Sequence, residues 1–257
     1  MEFIDISKWN GVFDWSKAVA KGIEGAYLKA TGTGNGGSYE DYRFKENSAS
    51  CPLKYKGTYH YFDYRGYSGA DQCKYFLDKT GNFGNMRGCL DVEDNSSNGW
   101  VTFNSVLGTA MKQAYEWINE YLKETGHLPV MYLNLGLTLQ KQLTTKGYQY
   151  IFRNFLECPL WVANYNNVAN PLRSLDGKMS AWQDYAMWQY TRGGDGLGYG
   201  NSPGNINLDI NRVKNISALL KPGVTPEDEQ PIPVVIPEIS DAEKLAKVWD
   251  WYKQEHS

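Results

Sequence analysis

Short apolar runs alternate with amphipathic stretches through the first 220 residues of the chain. The apolar runs predict eight strands, at Phe3–Ser7, Gly25–Thr31, Gly57–Tyr64, Gly88–Glu93, Val130–Asn134, Leu160–Tyr165, Ala186–Thr191 and Ile206–Ile210. The amphipathic stretches predict helices at Asp14–Lys21, Ser68–Lys79, Val101–Lys123, Gln140–Phe155 and Val213–Leu220. Such alternation favours a parallel α/β fold, and this number of strands favours an irregular TIM-like (β/α) barrel.

The pattern changes near residue 221. Five of the ten prolines lie between Pro222 and Pro237, which predicts an extended linker over 221–239. Ser240 and Glu243 have the spacing of a capping box, and apolar residues then recur at helical intervals over 240–257. We therefore expect a barrel over 1–220, a linker and a C-terminal amphipathic helix. The helix docks on the barrel or on a second chain, or serves targeting or self-association.

Composition narrows the class of protein. The 257 residues carry 26 Lys and Arg against 29 Asp and Glu, a near-neutral balance that argues against nucleic-acid binding. No window is apolar enough to span a bilayer, so we expect no membrane insertion.

Cys51, Cys73, Cys89 and Cys158 match no zinc-ligand spacing, and the sequence does not decide whether Cys51 and Cys73 pair. We expect neither a metal nor a cofactor.

Carboxylates interrupt three of the predicted strands. Asp5 lies between two isoleucines, Asp91 lies in the run from Cys89 to Val92, and Asp209 lies between Leu208 and Ile210. A carboxylate in a strand is costly unless it is paired or functional. Active sites of such barrels form at the carboxyl ends of the strands. The alternative, that all three form structural ion pairs, is less favoured.

Asp91 and Glu93 form a pair of their own. Side chains alternate along a strand, so both point to one face, with their Cα atoms roughly 6.5–7 Å apart. Two carboxyls this close raise each other's pKa, and one can hold a proton near neutral pH. A general acid for glycosidic cleavage needs this property, and Glu93, nearer the strand end and longer, is the candidate acid.

Aromatic residues on or just beyond the strands favour a carbohydrate ligand, because sugar rings stack on aromatic planes. These residues are Trp9, Tyr59, Tyr61, Phe62, Tyr64, Tyr132, Trp161, Tyr165, Trp188 and Tyr190. Each taken singly is equally consistent with a core position.

Two competing motifs are weak. The glycines from Gly32 to Gly37 fit a dinucleotide-binding spacing, but the charged Lys29 lies in the preceding strand and the following segment lacks small apolar residues. A flexible surface loop is the preferred interpretation. His60 has neither a second ligand at metal spacing nor a serine elbow, so a core or supporting role is favoured.

Together these segments resemble the glycoside hydrolase family 25 muramidases. The matching pieces are FIDISKWNGVFDW, GAYLKATG, GTYHYFDY, LDVED, PVMYLN, LWVANY, MWQYT and LDIN, covering about residues 2–215. The resemblance implies Glu93 as acid/base, Asp91 as its partner, and Asp5 and Asp209 as the acidic floor. It also implies sugar subsites lined by Tyr61, Trp188 and Gln189. Two positions depart from the family's pattern: Gly32 stands where the family usually has an acidic residue, and Asn10 stands where it more often has Gln.

The resemblance implies hydrolysis of the β-1,4 bond between N-acetylmuramic acid and N-acetylglucosamine in bacterial peptidoglycan, by attack of the substrate's own acetamido group. A direct attack by water stays open. A catalytically silent glycan-binding barrel and a chitinase-like hydrolase are the alternatives, although the longer DxxDxDxE pattern of the latter is absent. The N-terminus lacks a Sec-type signal, so we expect release in the manner of a phage lysin, or another export route, before action on the cell wall.

Overall fold

The computed structural model describes residues 1–34, 36–65, 67–93, 107–140, 155–166 and 169–227. Its strands are β1 (Glu2–Ile6), β2 (Gly25–Gly34), β3 (Gly37–Glu40), β4 (Tyr55–Tyr61), β5 (Cys89–Val92), β6 (Val130–Asn134), β7 (Leu160–Ala163), β8 (Met187–Asp195) and β9 (Asn207–Val213). Its helices are α1 (Trp15–Ala20), α2 (Phe44–Ser50), α3 (Gly69–Thr80), α4 (Leu107–Thr125), α5 (Leu135–Gln140), α6 (Gly196–Tyr199) and α7 (Ile216–Leu219), with a 3₁₀ turn at Lys8–Asn10.

Eight strands close into a barrel. The order around the sheet is β1, β9, β8, β7, β6, β5, β4 and β2, and a parallel pairing between β1 and β2 completes the ring. Among the described strands, β3 pairs with β2 alone and forms a hairpin at the edge of the barrel. The predicted α/β barrel is therefore confirmed, with helices outside a closed sheet.

β9 corrects the expectation of a wholly parallel sheet, because it runs antiparallel to both β8 and β1. The connection from Asp195 to Asn207 holds only the four-residue helix α6. A parallel crossover usually needs a dozen or more residues with a full helix, whereas a short connection suffices for antiparallel neighbours. The chain therefore reverses direction in the last strand.

Two apolar cores follow from side-chain alternation along the strands. Ile4, Leu90 and Leu208 point outward and pack with the helices. Phe3, Tyr27, Cys89, Tyr132 and Trp161 point inward and fill the barrel, where Leu219 and Leu220 join them. Apolar side chains thus fill the barrel interior towards the amino ends of the parallel strands, and polar inward side chains lie near their carboxyl ends.

The sequence located all eight barrel strands, and α1, α3, α4 and α7 lie within or largely within predicted helices. The glycine-rich segment predicted as a loop instead continues β2 and leads into β3, and α2, α5 and α6 were not expected. Most of the predicted helix at Gln140–Phe155 lies outside the described residues, as do residues 228–257 of the linker and tail. The four cysteines are buried free thiols.

The first residues of the predicted linker pack on the barrel. The Lys221 ammonium donates hydrogen bonds to the carbonyls of Phe83 (3.2 Å) and Gly84 (2.8 Å). The Tyr55 hydroxyl donates to the carbonyl of Pro226 at 3.4 Å. Across the described ranges, no helix is both long and apolar enough to cross a membrane.

Candidate active site

The structure brings the four predicted carboxyl groups to one mouth of the barrel. Asp5 lies near the end of β1, Asp91 lies on β5, and Glu93 follows that strand directly. Asp5 and Asp209 are cross-strand partners in the antiparallel pairing of β1 with β9. Each of the four carboxyls has a raised pKa, and each is within electrostatic range of at least one other.

Asp5 is fixed by a chain of side-chain hydrogen bonds. Its Oδ2 accepts from the amides of Asn211 (2.7 Å) and Gln189 (3.0 Å). The Trp161 indole donates to Asn211 Oδ1 at 2.7 Å, and the Tyr132 hydroxyl donates to Gln189 Oε1 at 2.8 Å. Burial raises the pKa of Asp5 to about 6, although the two amide donors lower it.

Asp91 and Glu93 interact directly. The Asp91 side chain is buried, with 5% of the residue exposed, whereas Glu93 beyond the strand end is half-buried. Burial raises the pKa of both carboxyls, and for Asp91 the neighbouring Glu93 carboxylate raises it further. Since two adjacent buried carboxyls cannot both ionise cheaply, the pair holds a shared proton well above the usual pH range of a carboxyl.

Asp209 lies beside Asp5 on the neighbouring strand and is within electrostatic range of Glu93. Burial raises its pKa to about 8, and the charges of Asp5 and Glu93 add to the shift. The exposed Arg192 guanidinium opposes it and lies 5.6 Å from the centre of the Tyr165 ring. Asp209 is therefore a second group that carries a proton near neutral pH.

Lys29 supplies a positive charge inside this acidic set. The residue is buried, and its ammonium lies 4.2 Å from the centre of the Tyr61 ring. Burial lowers the pKa of Lys29, while Asp91, Asp41 and Glu93 raise it. The same charge lowers the pKa of Asp91 and of Glu93, so Lys29 offsets part of the repulsion within the carboxyl pair.

Most of the predicted substrate-binding residues lie around these carboxyls. The Tyr165 hydroxyl donates to Gln189 Oε1 at 2.5 Å, beside the bond from Tyr132. Tyr59 lies within electrostatic range of Asp5, Asp91 and Asp209. Cross-strand register continues the ring of inward residues through Tyr61, Asp91, Tyr132 and Trp161.

Four predicted substrate residues do not line an open cleft: Trp161 and Tyr132 are buried in the inner core, with 2% and 7% of each residue exposed, and the other two are placed elsewhere. Trp188 points outward into the layer between barrel and helices, where its indole donates to the carbonyl of Asn164 at 2.8 Å. Trp9 lies in the turn after β1 and is 70% exposed, with the Lys8 ammonium 4.8 Å from its ring centre. Trp188 is thus separated from the acidic set by the sheet, and Trp9 stands at the outer rim.

Lys29, Asn211 and Asp41 belong to the surroundings of the acidic set, although they were not among the residues predicted from the sequence. In the sequence, the charge of Lys29 served only as an argument against a nucleotide-binding loop. Lys29 lies two residues after Tyr27, so both side chains point to the same face of the strand, which the structure places inside the barrel. Asn211 carries the same signal relative to Asp209. Asp41 is buried beyond β3 and accepts from the backbone amides of Lys8 and Arg43, a position that no local pattern indicates.

No group of three or more His, Cys, Asp or Glu side chains within the described ranges is arranged to hold a metal ion. The chemistry of the mouth is that of carboxyls, one ammonium, amides and phenols.

Comparison with known proteins adds the evolutionary context. The family model described as "Glycosyl hydrolases family 25" matches residues 4–198. Lysozyme M1 of Streptomyces globisporus is 26% identical over 221 residues, which are 82% of this chain and 66%, just under two thirds, of that protein. A bacterial lysozyme from Streptomyces coelicolor superposes with a TM-score of 0.63 at 24% identity, covering 85% of this chain and 94% of that one. The spore cortex lytic enzyme SleM of Clostridium perfringens gives 0.65 at 22%, covering 85% and 69%. At these identities the two structures show a shared fold.

Proposed function

Because the chain belongs to glycosyl hydrolases family 25, we propose that it is a muramidase that hydrolyses the β-1,4 bond between N-acetylmuramic acid and N-acetylglucosamine in peptidoglycan. The observation that carries the proposal is the set of Asp5, Asp91, Glu93 and Asp209 at one mouth of the barrel, each with a raised pKa. Binding alone needs no such set of like charges, since it costs stability.

Glu93 is the general acid in this proposal. It stands one residue beyond β5 and is half-buried, so its carboxyl reaches the cleft more readily than that of Asp91. Its raised pKa keeps a proton available to the glycosidic oxygen as the bond breaks and an oxocarbenium-like centre develops. The resulting Glu93 carboxylate then takes a proton from the water that adds to the anomeric carbon.

Asp91 stabilises or orients the reacting groups. Its Oδ1 is buried and has no hydrogen-bond partner in the described part of the chain. Once the Glu93 proton has moved to the leaving oxygen, negative charge on Asp91 stabilises the developing positive centre. An unpaired acceptor oxygen at this place also suits the N–H of a substrate acetamido group, which would orient that group for attack.

The surrounding phenols and amides suit a glycan. Tyr59, Tyr61 and Tyr165 offer ring faces for sugar planes, whereas the buried Tyr132 forms the floor beneath them together with Gln189 and Asp5. The cell wall is the place of action that follows from this substrate. Release in the manner of a phage lysin, or another export route, is the way to the wall that we propose.

The bond and the stereochemistry are tested by mass spectrometry of fragments released from purified peptidoglycan in labelled water. Muramic acid at the new reducing end supports the proposal, and anomer analysis separates acetamido participation, which retains configuration, from direct attack by water. Binding to the walls without release of reducing ends would instead favour a silent glycan-binding barrel.

Replacing Glu93 by Gln tests the assigned acid. Glu93→Gln should keep the fold and lose about 10²–10⁴-fold of the turnover rate, the usual contribution of a general acid. The measurement is release of reducing ends by purified protein, with circular dichroism to check folding. Glu24→Gln, at an exposed position beyond the opposite end of the barrel, is the matched control and should behave as wild type. Wild-type turnover by Glu93→Gln would exclude Glu93 as the acid.

A further inference from the structure

Tyr39 reaches the mouth of the barrel because Gly32 has no side chain. The two residues are partners in the β2–β3 hairpin. A Cβ built on Gly32 would lie 2.6 Å from the Tyr39 hydroxyl and 2.7 Å from its Cζ, closer than van der Waals contact allows. The hydroxyl end of the ring therefore covers the backbone of Gly32. Gly32 is also the cross-strand partner of Tyr61 on β4, so Tyr39 lies beside the Tyr61 position.

The groups around Tyr39 are those of the candidate active site. The Lys29 ammonium lies 5.8 Å from the centre of the Tyr39 ring and 4.2 Å from that of Tyr61, so it stands near both phenols. Burial raises the pKa of Tyr39, Lys8 lowers it, and Asp91 is among the carboxylates that raise it. The phenol thus shares the electrostatic field of the acidic cluster.

The Tyr39 side chain also keeps a free polar end. The residue is 37% exposed, and no described residue forms a hydrogen bond with its hydroxyl. A phenol with one accessible hydroxyl can donate to and accept from sugar hydroxyl or acetamido groups, while its ring offers an apolar face.

We propose that Tyr39, seated on Gly32, is a substrate-contacting residue that binds one sugar of the glycan strand on the β2–β3 side of the cleft. The inference rests on the proposed muramidase function. It assigns to the hairpin a part of the sugar-binding surface next to Lys29 and Tyr61. Asp41, Asp91 and Asp63 are the carboxylates that raise the pKa of Tyr39, and Glu93 is not among them, so we assign the hydroxyl to binding the glycan rather than to proton transfer.

Kinetics of Tyr39→Phe and Gly32→Ala on purified peptidoglycan test the assignment. Tyr39→Phe removes one hydrogen bond and should raise KM about 3- to 10-fold while kcat stays within about 2-fold. Gly32→Ala displaces the phenol and should raise KM at least as much. In the double variant the two effects should not add, because the hydroxyl is already absent.

Gly34→Ala is the matched control in the same strand, since a Cβ there meets no atom within 4 Å. It should leave both constants unchanged, and thermal unfolding of each variant verifies the fold. If the wild type is active and Tyr39→Phe keeps the wild-type KM, or loses only kcat, this inference alone is overturned. A wild type that releases no reducing ends from peptidoglycan would overturn the proposed function, and this inference with it.

Discussion

Buried carboxyls in this protein differ according to the partners each one has. Asp63 is buried and forms two hydrogen bonds with the Arg65 guanidinium, at 3.0 and 2.7 Å, so its charge is matched within a loop. Asp5 accepts from two neutral amides, and its pKa rises to about 6. Asp209 lacks those donors, and its pKa rises to about 8. Asp5 and Asp209 therefore retain a proton to higher pH because burial of each carboxyl is not offset by a hydrogen-bonded cation.

Lys29 is the residue whose removal should shift the pH dependence of activity. Its charge lowers the pKa of Asp91 and of Glu93, so Lys29→Met should raise both. The pair would then lose its first proton at higher pH, and the acidic limb of kcat/KM should move up by about one pH unit or more. The measurement is a pH–rate profile on purified peptidoglycan.

Lys221→Met is the matched control for Lys29→Met. Lys221 is also partly buried with a lowered pKa, but its ammonium binds the carbonyls of Phe83 and Gly84, away from the acidic cluster. The acidic limb of the kcat/KM profile of Lys221→Met should lie at the same pH as that of the wild type. An unchanged profile in Lys29→Met would show that Lys29 does not govern the ionisation of the pair.

At the scale of elements, the short strand β5 is held in place by the helices outside it. Leu90 and Val92 of β5 pack into the outer core with Phe76 of α3 and Trp117 of α4. His60 on β4 adds a polar tie: it is 0% exposed, with Nδ1 2.7 Å from the Thr31 hydroxyl and Nε2 3.1 Å from Gln72 Oε1. The Gln72 amide donates to two carbonyls, so Nε2 carries the proton and Nδ1 accepts.

The crossing of α3 and α4 requires the glycine at the start of α3. A Cβ on Gly69 would overlap the carbonyl oxygen of Gln113, a backbone atom that cannot move aside. Gly69→Ala should therefore lower the free energy of unfolding by about 1–3 kcal/mol, the usual cost of overpacking. Urea denaturation measures this. Gly193→Ala, where a Cβ meets nothing within 4 Å, should change it little. Equal stabilities would contradict the close crossing.

Over the whole molecule, apolar packing and acidic chemistry occupy opposite parts of one barrel. Leu219 and Leu220 join the inward core, and Arg87 ties the same segment through hydrogen bonds to both carbonyls. The other mouth concentrates carboxyls that are costly to ionise there, although the net charge of the chain is only −3. The fold thus gives up stability at the site of the proposed chemistry.

The loss of stability caused by ionising these buried carboxyls should appear in the pH dependence of the free energy of unfolding. The pKa of Asp209 is about 8 in the folded protein against 3.8 normally. The stability that its protonated carboxyl contributes to the folded protein is therefore fully present below about pH 4 and is lost as pH rises towards 8. Asp209→Asn removes that loss, and its gain in unfolding free energy should grow with pH, reaching about 1–2 kcal/mol at pH 7. Urea midpoints at pH 5 and pH 8 measure the gain.

Asp184→Asn provides the opposite control. The Lys214 ammonium lowers the pKa of this exposed carboxyl, so the Asn variant should gain no stability as pH rises. A gain for Asp209→Asn that is the same at pH 5 and pH 8 would contradict a raised pKa. Activity should fall in Asp209→Asn if the residue belongs to the proposed site.

The sequence by itself determined the local part of this architecture. Strand periodicity is two, so the sequence already placed Asp5 on the same face of its strand as Phe3, and Asp91 on the same face as Cys89. It also put Asp91 and Glu93 together at the end of one strand. The order of strands and helices then indicated a barrel, because each element must bury one apolar face.

Only the tertiary structure decided which distant residues meet. Closure of the sheet made Asp5 the partner of Asp209, and the short last connection reversed β9. In β2 a register shift between Lys29 and Thr31 changes the alternation, so Lys29 and Gly32 face inward while Thr31 turns outward to His60. Alternation is a local property, whereas strand partners, bulges and the face enclosed by a barrel depend on how the whole sheet twists and closes.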